Sequence, residues 1–230
     1  MRILATSDLH GNLEGLDPKG ADVVVIAGDI APLRGFDPWN IDLQRQWINT
    51  RFREWTSAHP DVRFVVIPGN HDFFPIARKR FRGIRGFDWK YGFSPNVHFL
   101  VDKGVEIDGV KFYGTPWVPI ISWSWAFEAD PAALKRRFSK IPADLDVLVT
   151  HSPPHIPECD VDFSLQTGAG PFGSPELANA IAAKRPRFVF CGHIHTGRHG
   201  GVDFESSRVC NVSRLDERYE VAYEPTLVEI

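Results

Sequence analysis

The sequence predicts an α/β fold, and three observations predict it. Short uninterrupted apolar runs recur along the chain, helix starts marked by a capping residue and a proline fall between them, and the composition is that of an ordinary packed domain. With 43% hydrophobic and 24% charged residues, the 230-residue chain has the material for a sizeable core, and neither a disordered nor a fibrous chain is expected. No linker, low-complexity run or fixed-period repeat interrupts it, so one domain over residues 1–230 is the simplest organisation.

The runs Ile3-Leu4-Ala5, Val23-Val24-Val25-Ile26, Phe64-Val65-Val66-Ile67, Val147-Leu148-Val149 and Phe188-Val189-Phe190 read as buried strands. Continuous β-branched and aromatic stretches of this length suit strands covered on both faces. Val105-Glu106-Ile107 and Val110-Lys111-Phe112-Tyr113 flank Asp108-Gly109, which predicts a two-residue hairpin. Helices are predicted to start at Asp37-Pro38, Asp130-Pro131 and Ser174-Pro175, where the cap accepts from free amides and proline lacks the one donor left unused there. Trp47, Ile48, Phe52 and Trp55 come after the first start at helical spacing, and Leu177, Ala178, Ile181 and Ala182 after the last. Cys159 to Gly173 is poor in apolar residues and is expected to be a long surface loop.

A net charge of −3 argues against a stable nucleic-acid partner. The three cysteines, Cys159, Cys191 and Cys210, are too few and too scattered for a disulfide framework, so reduced thiols in a cytoplasmic protein are expected. The apolar start is too short for a signal peptide and no run is long enough to span a membrane.

The chemistry lies in the polar block at the end of each buried run. Asp8-Leu9-His10-Gly11-Asn12 ends the first, Gly28-Asp29 the second, Gly69-Asn70-His71-Asp72 the third, Thr150-His151 the fourth and Gly192-His193-Ile194-His195 the fifth. Each block puts metal-affine side chains at the carboxyl end of a predicted strand, the edge where open α/β sheets bind ligands. Imidazole mixed with carboxylate suits first-row transition metals better than calcium or magnesium. In Asp8-x-His10 and His193-x-His195 an extended backbone points both donors to one side. Asp29, with two carboxylate oxygens, is suited to bridge two ions. Five such blocks in order make coincidence improbable, although each alone is weak.

The order Asp-x-His, Gly-Asp, Gly-Asn-His-Asp, His, Gly-His-x-His resembles the calcineurin-like metallophosphoesterases, over residues 8 to 195. Gly114-Thr115-Pro116-Trp117, Trp125-Ala126-Phe127, Thr150-His151-Ser152-Pro153-Pro154 and Gly173-Ser174-Pro175 further resemble the metallophosphoesterase-domain-containing phosphodiesterase branch. The resemblance implies a four-layer α/β/β/α sandwich of two mixed sheets flanked by helices. It implies two divalent transition-metal ions, of manganese, iron, zinc or nickel. Asp8, His10 and His195 would hold the first, Asn70, His151 and His193 the second, and Asp29 would bridge them.

The implied activity is hydrolysis of a small phosphate ester, foremost a phosphodiester such as a cyclic nucleotide. A water shared by the two ions, with its pKa lowered toward neutrality, would attack phosphorus in line. His71 would protonate the leaving group, with Asp72 orienting its ring and raising its pKa, unless Asp72 instead caps a helix. Asn12 is placed against phosphate or in a local turn, and Trp117 against a flat leaving group, as the exposed member of a cluster with Trp123, Trp125 and Phe127. Arg78, Lys79, Arg80, Arg82 and Arg85 read as a solvated helix face or an anion-steering patch. A phosphomonoesterase or protein serine/threonine phosphatase and a non-catalytic metal-binding scaffold are the rival readings. Gly28-Asp29-Ile30-Ala31-Pro32-Leu33-Arg34-Gly35 departs from the close Asp-Arg-Gly of the protein phosphatases, and retained His193 and His71 weigh against a scaffold.

Overall fold

Side chains that alternate between two apolar layers make a strand buried on both faces, and the five central runs do this throughout. The computed structural model describes residues 1–33, 41–76, 92–157, 159–162 and 170–230. In chain order its elements are β1 (Arg2–Thr6), β2 (Val23–Ala27), α1 (Ile41–Trp47), a π-helical stretch (Ile48–Phe52), α2 (Arg53–Ser57), β3 (Arg63–Ile67), β4 (Val97–Phe99), β5 (Lys103–Ile107), β6 (Val110–Thr115), β7 (Val118–Pro119), β8 (Glu128–Ala129), α3 (Pro131–Phe138), β9 (Val147–Thr150), β10 (Val161–Asp162), β11 (Gly170–Pro171), α4 (Pro175–Lys184), β12 (Phe188–Cys191), β13 (Gly200–Phe204), β14 (Ser207–Asn211) and β15 (Thr226–Glu229). The first sheet has the order β15-β1-β2-β3-β4 and the second β13-β14-β12-β9-β6-β5. Both are mixed: β1 to β4 run parallel with β15 antiparallel, and β14, β12, β9 and β6 run parallel between antiparallel β13 and β5.

The two sheets pack face to face. Val23, Val25 and Ala27 from one meet Val147, Val149 and Phe190 from the other in a shared core. The alternate residues face outward: Val24, Ile26, Phe64 and Val66 meet Ile48 and Phe52 of the helical segment, and Leu148 and Val189 meet Leu134, Phe138, Leu177 and Ile181 of α3 and α4. The result is the expected four-layer α/β/β/α sandwich. Burying each large aliphatic side chain contributes roughly 1.5–3 kcal/mol before conformational entropy is subtracted.

Local signals act as their chemistry requires. Asp108 and Gly109 both have positive φ, at 48° and 82°, the conformation of the tight hairpin turn between β5 and β6. Asp130 accepts from the Ala133 amide and Ser174 from the Leu177 amide, each with proline in the first turn behind it. Asp37-Pro38 and the basic residues from Arg78 to Arg85 lie outside the described residues. Within the segment expected to be a long loop after Cys159, Cys159 and Asp160 are buried and β10 pairs with β11. Few apolar residues and three glycines suggested an open loop, whereas Val161 and Asp162 pair antiparallel with Pro171 and Gly170. All three cysteines are buried, and none forms a disulfide. Among the described residues no helix is long and apolar enough to cross a membrane.

Candidate metal centre

Parallel neighbours end at the same edge, so β1, β2 and β3 deliver Asp8, Asp29 and Asn70 side by side, while β9 and β12 deliver His151, His193 and His195 from the facing sheet. Hydrogen bonds weld the two edges. The Asp8 amide donates to the Gly28 carbonyl at 3.0 Å. Across the sheets, the His193 amide donates to Asp8 Oδ2 at 3.0 Å, and His151 Nδ1 lies 2.9 Å from the Ala27 carbonyl.

The backbone is strained where these side chains leave it. Asp8, His10, Asp29 and His193 have φ of 54°, 42°, 51° and 73°, in the left-handed region that costs of order 1–3 kcal/mol per residue and clusters at functional sites. Two glycines are dictated by approach. Gly28 has φ of 104°, and a Cβ there would sit 2.4 Å from His151 Nδ1. A Cβ on Gly192 would sit 2.0 Å from Ser7 Oγ and 2.3 Å from Asp8 Oδ2.

The side chains converge on donor geometry. Asp29 Oδ2 lies 3.3 Å from His151 Nε2 and 3.7 Å from His10 Nε2. Asp8 Oδ1 lies 3.4 Å from His195 Nε2. Asn70 Oδ1 lies 2.9 Å from His151 Nε2. Asp8, His10 and His195 form one group whose donor atoms all lie within 4.8 Å of one another, and Asp8, Asp29 and His151 form a second. Asp8 thus stands in both groups, a position the sequence reading gave to Asp29 alone. His193 and Asn70 line the same pocket.

These residues suit a divalent metal. Both ring nitrogens of His10 are buried without a hydrogen-bond partner; a metal ion would occupy one of them, where a packed core histidine would hold a hydrogen bond. His151 and His195 point Nδ1 at the Ala27 and Asp216 carbonyls. A carbonyl only accepts, so Nδ1 carries the hydrogen and the Nε2 lone pair of the neutral ring is aimed inward, the usual arrangement behind a ligating imidazole.

The charges agree with this. Burial pushes the Asp8 and Asp29 carboxyls up, but neighbouring histidines, His195 for Asp8 and His151 for Asp29, hold both well below the usual carboxylate range. Burial opposes charge on His151 and His195, yet the carboxylates of Asp29 and Asp8 raise each to about 9. Burial lowers His10 and His193 to about 3. Without an ion, protons on His151 and His195 supply the positive charge that the two buried carboxylates demand, and a divalent cation would replace them.

Two expectations fail here, for Asp72 and Trp117, and Asn12 takes the local-turn alternative. Asp72 does not orient the His71 ring: its carboxylate accepts from the amides of Ile30, Ala31 and Gly69, and His71 Nδ1 is buried without a partner. Nor is His71 raised; burial lowers it. Asp72 itself is raised to about 7, by burial and then by the Asp29 charge. Trp117 is buried, with its indole N–H on Asp102 and the Arg137 guanidinium 3.2 Å over its ring. It comes after a turn, but it points into the layer of α3. Asn12 makes a local turn, accepting from the Glu14 amide at 2.9 Å, and lies beside Trp47 and Arg51 in a separate depression. His155 pairs with buried Asp160 at 2.6 Å and His199 stacks on Tyr223; neither lines the metal pocket.

The aromatic walls come from elsewhere. The pocket, about 330 Å³, is lined by Ile121, Trp125, Thr196, Glu217 and Tyr219 in addition to His71 and the candidate ligands Asp29, Asn70, His193 and His195. The Trp125 ring lies 4.4 Å from that of His71. Its loop is held by Glu128, whose carboxylate accepts from the amides of Ile121, Ser122, Trp123 and Trp125. Glu128→Ala frees this wall: KM for an aryl phosphodiester is expected to rise about ten-fold, with kcat changed less, because positioning rather than ion binding is lost. Steady-state kinetics checks this, and equal loss of kcat would contradict it. Trp125 belonged to the aromatic cluster seen in sequence, but Tyr219 and Glu217 lie in no motif and carried no signal.

The family model described as Calcineurin-like phosphoesterase matches residues 1–197. The chain belongs to this family. As a calcineurin-like phosphoesterase it is a metal-dependent hydrolase of phosphoric esters. It is 26% identical over 252 residues to human metallophosphoesterase domain-containing protein 1, covering 100% of this chain and 71% of that protein. It is 25% identical over 240 residues to a UPF0046 protein of Caenorhabditis elegans, covering 100% and 81%. Among solved structures, TT1561 of Thermus thermophilus shares the fold with a TM-score of 0.60 at 16% identity, over 91% of this chain and 88% of that one. The phosphopantetheinyl hydrolase of Mycobacterium tuberculosis shares it with a TM-score of 0.53 at 17% identity, over 94% and 90%.

Proposed function

We propose that this calcineurin-like phosphoesterase hydrolyses small phosphodiesters, cyclic nucleotides among them, with two divalent transition-metal ions held by Asp8, His10, Asp29, Asn70, His151, His193 and His195. The observation that carries the reading is the convergence of these side chains: Asp8, His10 and His195 in one donor group and Asp8, Asp29 and His151 in another, behind a pocket lined by Asp29, Asn70, His193 and His195. Asp8, His10 and His195 would hold one ion and Asn70, His151 and His193 the other. Asp29, within reach of both His10 and His151, would join them. When bound, such a pair supplies an acidified water and neutralises charge on the phosphate.

The chain's own groups do the rest. His71 lines the pocket beside Asn70, placed to give a proton to the leaving oxygen. Its ring is lowered by burial, so its cation is the stronger acid, and the substrate's negative charge favours that protonated form. Trp125 and Tyr219 offer aromatic surface for a flat ester group, which a diester retains next to its phosphorus.

Hydrolysis of bis-p-nitrophenyl phosphate and p-nitrophenyl phosphate is the test, after chelation and reloading with manganese, iron, zinc or nickel. Metal-restored turnover favouring the diester is expected. Bound ions without turnover of either ester would leave a scaffold, and preference for the monoester would overturn the diester reading.

A further inference from the structure

Residues beyond 197 lie outside the family match, yet they complete the pocket. Val212 donates its amide to the Cys191 carbonyl and Arg214 donates its own to Ser7, so the chain after β14 runs along the edge where the candidate ligands emerge. Asp216 then builds a tight turn. Its carbonyl accepts from His195 Nδ1 at 2.9 Å and from the Tyr219 amide at 3.0 Å. Its carboxylate accepts from the amides of Arg218 at 2.8 Å and Glu220 at 3.0 Å.

Tyr219 sits at the tip of this turn with φ of 62°, a conformation that bulky residues avoid unless the surroundings impose it. Its ring meets His10 edge-on at 4.9 Å and His195 at 5.5 Å, and it lines the pocket with Asp29, Asn70 and His71. Even so, 45% of the residue is exposed, so the ring is not consumed by packing. No hydrogen bond is made by its hydroxyl among the described residues. A neutral donor that the chain leaves unused, beside a pocket built for a phosphate anion, matches what a non-bridging phosphate oxygen accepts.

We propose that Tyr219 is a substrate-contacting residue, its hydroxyl donating a hydrogen bond to a phosphoryl oxygen and its ring forming the wall beside His10 and His195. The inference rests on the phosphoester reading of the same pocket. Asp216 is the positioning residue: one group fixes both the His195 ring and the turn that presents Tyr219.

Tyr219→Phe separates this from a packing role, because it keeps the ring and removes only the hydroxyl. In the manganese-loaded protein, kcat/KM for bis-p-nitrophenyl phosphate is expected to fall about ten-fold or more, the size of a lost hydrogen bond to a charged acceptor. Affinity for inorganic phosphate, measured by titration calorimetry, should fall alongside it, with bound manganese unchanged. Unchanged kcat/KM and phosphate affinity in Tyr219→Phe, with impairment only in Tyr219→Ala, would make the residue a packing element and overturn the proposal. Wild-type protein that binds phosphate but cleaves no ester would defeat the hydrolytic reading alone, and the phosphate titration would still judge Tyr219. Wild-type protein that binds no phosphate would defeat both.

Discussion

Asp29→Asn is expected to lower turnover of a phosphodiester by about a thousand-fold or more and to leave the protein with less than its full metal complement. The substitution keeps the size of the side chain, so packing is spared. It removes a buried negative charge that faces His151 at 3.3 Å and His10 at 3.7 Å, and it puts an amide group where an oxygen is needed. One carboxylate oxygen also accepts from the His71 amide at 2.8 Å, so the loss reaches the backbone of His71, the proposed proton donor. An ion in such a site contributes several kcal/mol to the transition state, which sets the scale of the rate loss. Steady-state kinetics with elemental analysis of the same sample checks this. Full metal content with near-normal turnover would remove Asp29 from the centre of the site.

Asp72→Ala is expected to act on stability rather than on chemistry. The carboxylate is fully buried and takes three amide hydrogen bonds, from Ile30 and Ala31 beside Asp29 and from Gly69 beside Asn70. It ties together the two loops that carry these candidate ligands. Truncation leaves three buried donors unsatisfied, each costing about 1–3 kcal/mol. A melting temperature lower by about 10 °C is expected at this chain length, in the metal-free protein as well as the loaded one. Thermal unfolding of both forms checks it. Reduced turnover at an unchanged melting temperature would instead restore Asp72 to a direct role beside His71.

The sandwich was legible because its central strands are read by a local rule. Val23 to Ala27 and Phe64 to Ile67 are apolar at every position, which only a strand covered twice can satisfy. The candidate ligands were legible for a related reason: they come directly after those runs, and Gly28 and Gly192 mark where backbones approach too closely for a side chain. Side-chain direction was not legible. Trp117 and Trp125 are alike in composition and neighbourhood, yet one packs under Arg137 and the other meets His71, a difference settled by the loop that Glu128 holds. Asp72 looked like a partner for His71 because it is next in sequence, but its carboxylate turns to the amides of Gly69 on its own loop and of Ile30 and Ala31 on the loop after β2. Tyr219 was invisible because its place depends on a turn made by Asp216 and on a strained φ, and neither leaves a spacing pattern.

Seven side chains from two sheets are proposed to hold a pair of ions. Anomalous diffraction from crystals of the manganese-loaded protein tests it most directly. Two peaks about 3.5–4 Å apart are predicted, with Asp29 reaching both, His10 and His195 on one, and His151, His193 and Asn70 on the other. A single peak, or manganese bound away from Asp29, would contradict it.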